Sequence, residues 1–184
     1  SGSSISELHE LRTYLIAKLL WDPDIDLDVV RKDFLNGYYG AAAPFIEKYI
    51  EKTHKALLSS GERLDIYGYP YDAVDSYLRP ELLQQYEVLF DRAETAVSGD
   101  KNVLKRVRRA RLPIEFAILD ISLHDVNQDL SFVTHHDGKI LPKKEMLARL
   151  ERFVQVCHEN GIERLEEHGY SPDQFRENCH DYIE

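Results

Sequence analysis

Apolar residues recur every three or four positions along most of this chain, the spacing of one face of an α-helix. From Ile5 to Trp21, Leu8, Leu11, Leu15 and Leu19 keep that period. Within this stretch YLIAKLLW (Tyr14 to Trp21) is apolar almost all round, which predicts a helix buried on several sides with Trp21 in the core. Leu27, Val30, Phe34 and Tyr38 form a second stripe, stopped near Gly37 and Gly40. A third helix carries Ile46, Tyr49, Ile50, Thr53 and Leu57 on one face, with Pro44 tolerated in its first turn and Ser59-Ser60-Gly61 at its end.

The period fails between residues 62 and 80, where Gly68, Pro70, Pro80 and several tyrosines predict a long ordered loop with at most one helical turn. Pro80 then opens a helix with Leu83, Tyr86, Phe90, Ala93 and Val97 on one side. The next runs from Asp100 to about Leu123, and Pro113 inside it predicts a kink or a split. SFVTHHDGKILP (Ser131 to Pro142) is the one candidate strand pair, a short hairpin near 132–141 turning on Asp137-Gly138. Met146, Leu150, Phe153, Val154 and Cys157 mark a further helix ending at Asn160-Gly161, and a short helix is expected over Ile162 to Glu167. Ser171-Pro172-Asp173-Gln174 reads as a capping box for a last helix with Phe175, Cys179 and Tyr182 facing inward. The expected fold is all-α, an irregular array of six to eight helices in one domain over 1–184, with no fixed-period repeat.

Composition narrows the partners. The chain's 184 residues are long enough to bury a core, and a net charge of -10 repels nucleic-acid phosphates and anionic lipid. No apolar run is long enough to cross a bilayer. Neither nucleic acid nor a membrane is therefore an expected partner. Ser1-Gly2-Ser3-Ser4 lacks the pattern of a signal peptide, and the compartment stays open. Two cysteines, Cys157 and Cys179, are too few for a disulfide scaffold. Both fall on long helices near the end of the chain, so pairing remains geometrically open beside the commoner outcome of buried free thiols.

Between the first two helices stand Asp22, Asp24, Asp26 and Asp28, alternating as calcium ligands do. An EF-hand loop starting at Asp22 would place Leu27 where glycine is wanted and Asp33 where a bidentate glutamate is wanted. A capping role meets neither objection. Pro23 ends the first helix at Asp22, Asp26 or Asp24 caps the second, and Asp28 favours its positive end. Leu27 is then expected to point into the core. No metal is assigned.

The stretch from Tyr14 to Ile50 resembles the helical region after the catalytic barrel in an uncharacterised family of large bacterial proteins described as glycoside hydrolases. An aromatic residue before Asp-Pro-Asp, followed by a helix ending in Tyr-Gly, is also similar to the post-barrel segment of α-glucuronidases. RVRRARLPIEFAIL (Arg106 to Leu119) and GIERLEEHG (Gly161 to Gly169) resemble the family's continuation. The resemblance implies catalytic carboxylates on the barrel, which this chain's helical pattern does not contain. No catalytic residue is carried over, and the chain is expected to be a C-terminal fragment of a larger protein.

Other constellations are weighed one by one. His135-His136-Asp137, with His124 and Asp125 upstream, lacks the convergent spacing of a zinc site and reads as polar loop. KRVRRAR (Lys105 to Arg111) is the one basic cluster, and its arginines are expected to pair with acidic neighbours or a missing domain. Tyr67, Tyr69 and Tyr71 could stack on sugar rings as a carbohydrate contact. The more economical reading has them pin the loop to the helices or pack on the absent barrel.

The leading expectation is a non-catalytic helical accessory domain of a carbohydrate-processing protein, packed against a catalytic barrel supplied by the parent chain. It predicts an uncovered apolar patch, with a homodimer as one way to cover it. The alternatives are an independent helical module binding a glycan or protein through the tyrosine loop, and an autonomous enzyme, which would need a pocket with convergent carboxylates or histidines. No cofactor is assigned, and polysaccharide is the expected ligand class.

Overall fold

The computed structural model describes residues 5–65, 68–124, 131–166 and 169–183, the last without the Ile183 side chain. Among the described residues the fold is all-α: α1 (His9–Trp21), α2 (Leu27–Tyr39), α3 (Ala43–Ser60), α4 (Pro80–Ala96), α5 (Lys101–His124), α6 (Lys144–Glu159) and α7 (Pro172–Ile183). One antiparallel hairpin, β1 (Val133–His136) and β2 (Lys139–Pro142), pairs Val133 with Pro142 and His136 with Lys139. Its turn needs positive φ at both central residues, and Asp137 (φ 49°) and Gly138 (φ 73°) supply it.

Helix boundaries follow local chemistry. Asp26 Oδ1 accepts from the amides of Asp28 at 3.0 Å and Val29 at 3.2 Å, so the aspartate run caps α2. Asp100 caps α5 likewise, through the amides of Asn102 and Val103. Gly61 closes α3 at φ 72°. Ser171 and Gln174 exchange reciprocal hydrogen bonds at 3.0 and 3.1 Å, the capping box that starts α7. Pro113 neither ends nor splits α5, whose neighbours α4, α6 and α2 hold it on several sides.

A single apolar cluster runs through the molecule around α5. Tyr39, Tyr49, Tyr86, Phe90, Phe132 and Phe153 are its largest fully buried side chains, and each contributes about 1.5–3 kcal/mol of transfer free energy. Cys157 and Cys179 are buried within it as free thiols.

Four expectations fail. α1 is not buried on several sides: only Leu11 is fully covered, and Trp21 is 91% exposed. Leu27 is exposed because Val30, Leu35 and Tyr39 carry the inward face of α2. Residues 162–166 form no helix; Ile162 and Leu165 are anchored in the core instead, and the Leu165 amide donates to the Tyr170 carbonyl at 2.9 Å. Tyr182 is half exposed, since Phe175 and Cys179 already fill the inward face of α7.

Candidate functional site

The C-terminal end of α5 meets the 3₁₀ turn Pro70–Ala73, residues Leu165, Glu166, Gly169 and Tyr170, and the start of α7 around a cavity of about 800 Å³. Each wall has a local cause. Asp120 and His124 are four residues apart and share a face of α5, and His124 Nδ1–H donates to the Asp120 carbonyl at 2.9 Å. The tyrosine loop is held by a reciprocal lock: the Tyr69 amide donates to Asp72 Oδ2 at 2.8 Å, and the Asp72 amide to the Tyr69 carbonyl at 3.0 Å. That lock stacks Tyr69 on Tyr71 at 5.7 Å between centroids, and Tyr71 on His124 at 4.4 Å. On the opposite wall, Gly169 admits no larger residue without movement, because a Cβ there would lie 2.8 Å from Glu166 Cβ.

The electrostatics of this cavity are unbalanced. Asp120 is 8% exposed, and its Oδ2 has no hydrogen-bond partner among the described residues. Burial raises the Asp120 pKa above the ordinary carboxylate range; His124 and a backbone hydrogen bond from Tyr71 lower it, while Glu166 and Asp72 raise it further. Behind it, burial, and secondarily Asp120, push the Cys179 thiol up to about 12. No lysine or arginine lines the cavity among the described residues, and the residues outside that set include none. The arrangement offers a buried acceptor to an incoming donor, between aromatic walls.

A second polar cleft, over α4, α5 and α6, is satisfied internally. Glu115 is 5% exposed and receives Arg111 Nε at 2.7 Å and Arg149 Nη1 at 2.6 Å. Arg111 also reaches Asp91 at 2.6 Å and Glu94 at 3.1 Å, and Arg149 reaches Glu87 at 2.6 Å. Burial alone lowers the Arg111 pKa, but Glu115, Asp91 and Glu94 outweigh it and hold the guanidinium above its ordinary value. The other arginines of the basic cluster are also engaged: Arg106 donates to the Tyr38 carbonyl, Arg108 to Glu94, and Arg109 lies 2.8 Å from Glu10. These arginines cross-link helices, as their position in an acidic chain predicted.

Of the tyrosines expected to touch a ligand, Tyr69 and Tyr71 line the cavity, and Tyr67 lies outside the described residues. His135 and His136 sit exposed on the hairpin, away from His124 on α5, and Asp125 is outside the described residues. Among the described residues no three His, Cys, Asp or Glu side chains are grouped to hold a metal ion. Sequence reasoning missed Asp120, Glu166 and Glu115. A carboxylate inside an apolar run, as in IEFAILDIS, was the available signal for two of them.

Ile16, Leu20, Trp21, Leu27 and Val29 are exposed together around the α1–α2 turn, with Leu20 at 81%. Ile16 and Leu20 are one helical turn apart on α1.

Among the described residues the fold is an irregular all-α array with an open aromatic cavity at the end of α5 and exposed apolar side chains around the α1–α2 turn. Residues 2–51, covering α1, α2 and the first half of α3, match an uncharacterised family described as Domain of unknown function (DUF4838). No curated protein and no solved structure matches the chain.

Proposed function

We propose that this chain is a non-catalytic helical accessory domain of a carbohydrate-processing protein, docked on a neighbouring catalytic domain through the α1–α2 edge. The supporting observation is Trp21, 91% exposed, next to Leu20 at 81%. Folding leaves large aromatics so fully in water at a cost in transfer free energy, and an apolar cluster of this kind marks an interaction surface. The carbohydrate assignment rests on the resemblance of Tyr14 to Ile50 to the post-barrel region of glycoside hydrolase-like proteins. The test is calorimetric titration of this chain into the separately purified catalytic domain of its parent. Wild type associates, and Trp21→Glu with Leu20→Glu weakens association by about two orders of magnitude, as loss of two anchors does. Equal binding by the double variant, or no binding by wild type, overturns the reading.

A further inference from the structure

The cavity at the end of α5 has no part in that docking edge, and its chemistry points to a ligand of its own. Asp120 is more than nine-tenths buried, lines the cavity, and keeps Oδ2 without a donor among the described residues. A buried carboxylate oxygen left without a donor carries the full desolvation penalty of that group, so the site is incomplete as it stands. What completes it must carry an N–H or O–H.

Charge selects between these donors. Glu166 and Asp72 add negative potential at Asp120, and His124, engaged through Nδ1 with a backbone carbonyl, is the one nearby group able to become cationic among the described residues. The Arg–Glu cleft shows what this chain does with a buried carboxylate that is structural: it surrounds Glu115 with guanidinium groups. At Asp120 no lysine or arginine among the described residues plays that part. The remaining walls suit a cation with an apolar body, since Tyr69 and Tyr170 are half exposed at the rim and Phe116 and Phe175 lie along the side. Aromatic faces attract organic ammonium groups, and a cavity of about 800 Å³ falls within the range of small-molecule sites.

We propose that this cavity binds a small organic ammonium ligand, an amine with N–H donors on a ring or alkyl body, whose charged nitrogen pairs with Asp120 Oδ2. Three probes separate the contributions: cyclohexylammonium, cyclohexanol and tetramethylammonium, titrated into the 184-residue chain and followed by amide chemical shifts. Cyclohexylammonium binds and shifts amides of the α5 end and residues 165–175. Cyclohexanol binds at least about tenfold more weakly, because its O–H donates to the carboxylate without the ammonium's own charge. Tetramethylammonium, which has charge without N–H, falls between the two or below both. Asp120→Asn removes the preference for the ammonium over the alcohol, with the fold checked by the unchanged amide pattern elsewhere. Glu166→Gln, an isosteric change at an exposed position, weakens cyclohexylammonium by about two- to fivefold through the lost rim charge. No saturable binding, equal affinity for the amine and the alcohol, or an Asp120→Asn chain that keeps the preference would each overturn the proposal. A preference for cyclohexanol would assign the cavity to neutral hydroxyl ligands instead and would equally overturn it.

Discussion

Glu115 and Asp120 are both buried on α5, little more than one helical turn apart, yet they meet opposite surroundings. Glu115 is gripped by Arg111 and Arg149, with Arg152 at 3.7 Å. Asp120 has one oxygen with no partner and faces further carboxylates. The middle and the C-terminal part of α5 therefore place the same chemical group in different surroundings. At the centre, buried charge is matched across α4, α5 and α6 and fixes how those helices sit. At the C-terminal end it is left uncompensated beside an open cavity.

The comparison can be broken by substitution. Glu115→Gln removes the counter-ion that Arg111 and Arg149 share, leaving them Asp91, Glu94 and Glu87, and costs about 2 kcal/mol, read as a fall in Tm of about 6 °C. A loss under about 1 kcal/mol would mean that the network is solvated and only geometrically paired. Asp26→Ala, which removes a carboxylate satisfied by backbone amides, costs about 1 kcal/mol in a denaturant titration. Asp120→Asn goes the other way, leaving stability unchanged or raising it by up to about 1 kcal/mol, because the buried charge it removes has one oxygen without a donor among the described residues.

The pH dependence sharpens that last point. Asp120 has its folded-state pKa raised above the unfolded value. Between those two values the folded chain binds more protons than the unfolded one. The group's stabilising contribution is thus fully present below the unfolded value of about 3.9 and is lost as pH rises through the folded one. Thermal melts from pH 4 upward should show wild type losing stability relative to Asp120→Asn; parallel curves would show that the carboxylate is compensated after all. The smallest effect belongs to Trp21→Glu, which changes the stability of the isolated chain by less than about 0.5 kcal/mol, since its ring touches little. A larger loss would place Trp21 against the fold and not at an open edge.

Much of the fold was legible because the signals are local. The period of Ile46, Tyr49 and Ile50, the Asp-Gly turn at 137–138 and the Ser171–Gln174 box each act over a few residues and need no distant partner. The arginines of 105–111 were legible by charge balance alone. Trp21 was not. Periodicity reports that a face is apolar, but whether anything in the chain covers it depends on where the other helices go. The tyrosine loop was half legible: its composition marked ordered aromatic chemistry and its lock on Asp72 spans only three residues, while its stack on His124 joins residues far apart in sequence.

The sequence by itself determined the helices, their caps, the hairpin turn and the acidic, arginine-pinned character of the chain, because backbone hydrogen bonding and side-chain period are short-range. Only the tertiary structure decided that Glu115 would find two guanidinium groups and Asp120 none. It likewise decided that α1 would leave Leu20 and Trp21 in water. Pairing and coverage depend on which surfaces come within a few ångströms of each other, and that is settled by how α4, α5, α6 and α7 pack.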